Sequence, residues 1–138
     1  MFDRRSRIAH AKQVAVVRQP WPLLYGRDIE RSIGFYRDRL GFALVADDGK
    51  PEGRRGWCRL ERGGSSIMLQ QWTEEDGPID GAGRGVGFYF VCDDADAMYA
   101  ELTFRGLRLD APSVAYYGMK QVFVPEPDGY AICFESPA

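Results

Sequence analysis

Between Asp28 and Gly41 the apolar residues Ile29, Ile33, Tyr36 and Leu40 recur every three or four positions, the spacing that lines one face of an α-helix. Asp28 stands just ahead of the stripe, where a carboxylate accepts the unpaired amide hydrogens of a first turn. Gly41 stands just behind it, where a helix ends through a left-handed residue. The spacing predicts a helix over 28–41. The pattern returns further on: Ala95, Met98, Tyr99 and Leu102 share a face, Asp93 or Asp94 precedes them, and Gly106 follows. Elsewhere the apolar residues gather in short runs of β character. These are WPLLY (21–25), GWCRL (56–60), SSIMLQQW (65–72), VGFYFV (86–91), MKQVFV (119–124) and YAICFES (130–136).

The two halves can be laid on one another. A shift of 65 carries Asp28 and Gly41 onto Asp93 and Gly106, and Ile67, Met68 and Leu69 onto Ile132, Cys133 and Phe134. It also carries Leu23, Leu24 and Tyr25 onto Phe88, Tyr89 and Phe90. The chain therefore reads as two copies of strand–helix–strand–strand–strand, each of about 60 residues. This is an α+β arrangement in which one helix covers one face of each sheet. The other faces remain to line a cleft.

With 138 residues, 45% of them hydrophobic, the chain suits one compact domain. The expected boundaries are a basic arm at 1–19 and a domain at 20–137, with modules at about 20–75 and 86–137 joined by a glycine-rich linker at 76–85. Within the arm, Gln13 to Val17 reads either as a short edge strand or as more unstructured chain. A formal charge of −2 gives no pull towards nucleic acid. No apolar run approaches the roughly 18 residues that cross a bilayer, and the opening MFDRRSRIAHAKQ lacks the apolar centre of a signal peptide. A cytoplasmic protein is expected. Cys58, Cys92 and Cys133 are odd in number and far apart, which argues against a disulfide framework or a cysteine-rich zinc site.

Two stretches, DIERSIGFYRDRLGF (28–42) and GMKQVFVPEPDGY (118–130), resemble the paired signatures of the vicinal oxygen chelate superfamily. That superfamily holds glyoxalase I, extradiol dioxygenases, fosfomycin-resistance enzymes and bleomycin-resistance proteins. The resemblance implies tandem βαβββ modules whose curved mixed sheets surround a cleft, commonly in a homodimer. For the metal enzymes it implies ligands at positions that match Trp21, Met68, Val86 or Gly87, and Cys133 here. A catalytic divalent ion takes imidazole and carboxylate ligands. Indole, thioether, glycine and one thiol do not supply them, and the chain's single histidine, His10, lies in the arm. No metal and no cofactor are expected.

Because strand residues alternate faces, Trp21, Leu23 and Tyr25 share one side, as do Met68, Gln70 and Trp72, while Cys133 and Glu135 share one side of the last strand. Tyr89 joins them, and Trp57, Tyr116 and Tyr117 offer further ring faces. A cleft with this lining is aromatic and sparsely polar, which suits a planar organic ligand held by stacking. The resemblance points the same way, to the drug-sequestering bleomycin-resistance type.

Two other readings stand beside it. One is an enzyme of the superfamily, a lyase, isomerase or dioxygenase, with Glu135 or Glu61 as general base or a metal held elsewhere. The other is an interaction domain whose cleft is filled by its own side chains or a partner. Asp128–Gly129 is explained by turn chemistry, and Asp28 and Ser32 by helix formation. GAGRGVG (81–87) precedes a strand and lacks the dinucleotide-binding spacing. Cys92 beside Asp93 and Asp94 has the wrong electrostatic setting for a reactive thiol.

Overall fold

A computed structural model describes residues 15–138. His10 and most of the basic arm lie outside the described residues, as do two positions of the edge strand considered at 13–17. Its other three, Ala15 to Val17, are exposed and not in a strand.

The first module runs β1 (Leu23–Gly26), α1 (Ile29–Gly34), a π-helical turn (Phe35–Arg39), β2 (Ala43–Asp47), β3 (Trp57–Arg62) and β4 (Ser65–Gln71). A short 3-10 turn at Glu74–Asp76 opens the linker. The second module runs β5 (Gly87–Val91), α2 (Ala95–Phe104), β6 (Ser113–Val114), β7 (Met119–Val124) and β8 (Ala131–Pro137). The strand orders are β1-β4-β3-β2 and β5-β8-β7-β6. In each sheet the first and last strands of the module pair in parallel, because the helix between β1 and the rest acts as a crossover. Each module is βαβββ, and the fold is α+β.

The repeat is real, but its shift is not constant. Leu24 pairs with Leu69 and Phe90 pairs with Phe134, so Leu24 answers to Phe90, not to Tyr89. The expected overlay of Leu23, Leu24 and Tyr25 is thus out by one residue, which exchanges the two faces of the strand. The helix caps agree: the side chains of Asp28 and Asp94, not Asp93, accept the first-turn amides. The first module carries one extra residue between its cap and its closing glycine. The π turn absorbs it, with the Leu40 N–H reaching the Phe35 carbonyl at 3.1 Å. Both helices then end at glycines of positive φ, Gly41 at 74° and Gly106 at 100°.

The helix-facing sides of the two sheets share a single core. Ile29, Ile33, Tyr36 and Leu40 are buried as their spacing predicts, as are Ala95, Met98 and Leu102. Phe42 of the first module meets Phe90 of the second edge-on at 5.5 Å, and Phe90 stacks on Phe134 at 5.3 Å.

Two polar latches join the modules, one from each terminal hairpin. The turn between β7 and β8 reaches α1: Asp128 accepts from the Arg27 amide at 3.1 Å and the Ser32 hydroxyl at 3.3 Å, and pairs with Arg27 and Arg31. The Tyr36 hydroxyl donates to Glu126 at 3.3 Å. In the other direction, Arg62 at the end of β3 makes a bidentate pair with Glu101 of α2, at 2.6 and 2.8 Å. Asp128 and Ser32 therefore do more than turn and helix chemistry. They hold the halves together.

Candidate functional site

Alternating burial along the strands shows which side of each sheet faces away from the core. In β1, Leu24 and Gly26 are buried while Leu23 and Tyr25 are not; in β4, Ile67 and Leu69 are buried while Met68 and Gln70 are half-buried. Leu23 lies opposite Met68, Tyr25 opposite Gln70, and Gln70 opposite Trp57. These five side chains form one open face. Arg59 belongs to it too, with its guanidinium 4.2 Å over the Trp21 ring and hydrogen-bonded to Glu61 and Ser66. Trp21 itself is 46% exposed.

The second open face is built the same way. Tyr89 lies opposite Cys133, Val91 and Gln121 flank Glu135, and Phe123 flanks Cys133. The Tyr117 hydroxyl donates to Glu135 Oε1 at 3.0 Å, and Gln121 Nε2 donates to the same oxygen at 2.9 Å and to the Tyr117 hydroxyl at 2.6 Å. Burial and the neighbouring carboxylate raise the Tyr117 phenol above its ordinary value. Tyr116 packs edge-on against Tyr117 at 5.3 Å and is otherwise fully exposed.

Eleven of the twelve residues singled out from the sequence thus fall on two faces rather than one. Trp21, Leu23, Tyr25, Trp57, Met68 and Gln70 belong to the first, and Tyr89, Tyr116, Tyr117, Cys133 and Glu135 to the second. Trp72 lies past the end of β4, where its indole N–H donates to the Gly77 carbonyl at 2.6 Å. It borders a hollow of about 230 Å³ with Tyr25, Tyr130 and the linker. A larger hollow of about 450 Å³ lies at the module junction over Phe42, Phe90 and Phe134, and none of the twelve lines it. Gln121, Phe123, Val91 and Val45 are open-face residues that the sequence reading omitted. Alternation in β7 marks the first two, since Val122 and Val124 carry the core pattern.

The arrangement holds little nucleophilic or metal-binding chemistry. Burial pushes the Cys58 and Cys133 thiols up to about 11, so both are protonated at neutral pH. Cys92 is raised as well, chiefly by burial.

Comparison with known proteins places this geometry. The family model described as the Glyoxalase/Bleomycin resistance protein/Dioxygenase superfamily matches residues 7–134. The chain belongs to this superfamily. Among curated proteins, none matches. Solved structures of similar fold include TnmS3, an antibiotic binding protein from Streptomyces sp. CB03234, at 27% identity and a TM-score of 0.64, covering 90% of this chain and all of that one. A bleomycin-binding protein complexed with bleomycin is similar at 21% identity and a TM-score of 0.65, covering 88% and 100% of the two chains. A glyoxalase/bleomycin resistance protein/dioxygenase from Nocardioides is similar at 20% identity and a TM-score of 0.66, covering 96% and 93%.

The superfamily includes metal enzymes, so the ligand positions can be tested for fit. On the sides away from the helices they offer the half-buried Met68 thioether and the buried Cys133 thiol, with Leu23 and Tyr89 opposite them. No group of three or more His, Cys, Asp or Glu side chains stands close enough to hold an ion among the described residues. Thioether and protonated thiol do not replace imidazole and carboxylate around a catalytic ion. The donor set does not fit one.

Proposed function

We propose that this superfamily member binds a planar organic molecule against its open sheet faces, by contact rather than through a metal, and releases it unaltered. Two identical chains working in the cytoplasm complete the site in this reading. The observation that carries it is where the exposed apolar groups lie. Trp21, Leu23, Val45, Tyr89, Val91, Tyr117 and Phe123 are each more than 40% exposed and belong to the open sides of the sheets. Exposed apolar area gathered in this way marks a binding surface. The similarity to proteins described as binding an antibiotic and bleomycin supports the same reading.

A thermal-shift screen against aromatic antibiotics and thiol conjugates tests it, with at least one planar compound expected to raise the melting temperature. No shift across a broad panel would sink the proposal. For any compound found, Trp21→Ala should weaken binding about tenfold through lost ring contact, while the melting temperature stays within about 3 °C because the side chain is half-exposed. Plasma mass spectrometry on protein purified without chelator should find no stoichiometric transition metal; one metal per chain would point to enzyme chemistry instead.

A further inference from the structure

The second open face contains a charge that a purely apolar binding surface does not need. Glu135 lies near the middle of that face and is only 9% exposed. No lysine or arginine among the described residues pairs with it. Lys120 of the adjacent strand is drawn to Asp96, and Arg59 of the other sheet to Glu61. Both donors that steady the carboxylate, Tyr117 and Gln121, bind the same oxygen, Oε1. Oε2 has no partner among the described residues, and no side-chain oxygen that lacks a partner is sealed from solvent there. One oxygen is therefore anchored while the other keeps a free lone pair and some contact with solvent, beside half-exposed rings.

We propose that this carboxylate is a cation subsite, so that the ligand is a planar molecule bearing a protonated amine or amidine. The inference rests on the binding function proposed above and narrows its ligand class. Any molecule that covers this face strips the remaining water from Glu135. A neutral or anionic guest leaves that desolvation uncompensated, whereas a cationic one offsets it through a charge-assisted hydrogen bond to Oε2. The faces of Tyr89 and Tyr117 stand ready to receive the same positive charge. Anchoring through Oε1 reduces the freedom that the carboxylate loses when it binds.

The test is a calorimetric titration with two planar tricyclic probes of opposite charge, proflavine (a cation at neutral pH) and anthracene-2-carboxylate. Proflavine is expected to bind the wild-type protein about tenfold more tightly than the anion, and more weakly as salt is raised. Glu135→Gln should remove that preference and leave anthracene-2-carboxylate binding equal or tighter. If both probes bind the wild type equally, or if Glu135→Gln binds proflavine undiminished, the cation subsite is wrong and the binding function stands. If neither probe binds, the cation subsite is wrong as stated, and the binding function is judged by the broad thermal-shift panel. Should Glu135→Gln fail to fold, as judged by its circular dichroism melt, Tyr117→Phe replaces it. Tyr117 is half-exposed and outside the core, so its hydroxyl can be lost without a core defect, and the preference for proflavine should fall severalfold; an unchanged preference would count against the proposal.

Discussion

At the scale of single residues, two glycines of similar backbone separate conformational cost from contact. Gly41 has φ of 74°, and a Cβ there would stand 2.8 Å from Arg62 Nη1 and 2.9 Å from Arg105 Nη2. Gly129 has φ of 89° with nothing within 4 Å. Alanine at either site incurs the left-handed penalty of about 1–2 kcal/mol. Only Gly41→Ala also pushes aside a guanidinium that holds the Leu40 carbonyl and Glu101. Gly41→Ala should therefore be the more destabilised variant, by about 1 kcal/mol, read from the difference in urea midpoints. Equal midpoints would show that the arginines give way freely. At this scale Gly41 was legible as a helix end from its place behind the apolar stripe. Asp128 was not: its turn role is local, while its burial against Arg27, Arg31 and Ser32 depends on packing that no spacing encodes.

At the scale of elements, the latches make stability depend on pH in a way that can be checked. Arg62 and Arg105 hold the Glu101 carboxyl well below its ordinary value, at about 2. A depressed carboxyl stabilises the fold above its unfolded value of about 4.5, and that contribution fades as pH falls towards about 2. Because the pair is about one-third exposed, its worth at neutral pH is about 1 kcal/mol after solvent screening. Glu101→Gln should melt lower than wild type at pH 7, with the gap closing as pH drops towards 2. A gap that is constant with pH would locate the loss in packing. Glu126 acts oppositely: burial raises its carboxyl, so its contribution declines as pH rises through that raised value. Most elements were readable from periodicity, and β7 falls on the residues expected. The strand β2 and the two-residue β6 were counted in the modules but given no residues, because mostly exposed strands carry little apolar pattern. The π turn was invisible for a different reason. A one-residue insertion leaves a helical stripe intact, and it shows only in the backbone, where the Leu40 N–H reaches back five residues to Phe35.

At the scale of the whole molecule, one shared core lies inside and two partly apolar sheet faces lie outside. Apolar faces of this kind gain by meeting a partner surface. Light scattering at micromolar concentration should return twice the 15.6 kDa chain mass; the mass of one chain across the range would remove the pairing of copies from the proposed function. The candidate site was legible only in part. Alternation grouped strand residues that do share a side, but a sequence does not tell whether two faces look at each other, and within this chain eleven of the expected twelve divide between them while Trp72 lies past the end of β4.

The two latches carry opposite signs, so the two hairpins are not interchangeable. The first helix answers with Arg31 and receives carboxylates; the second answers with Glu101 and receives Arg62. Each hairpin thus fits the helix of the other half by charge, as a plug fits its socket.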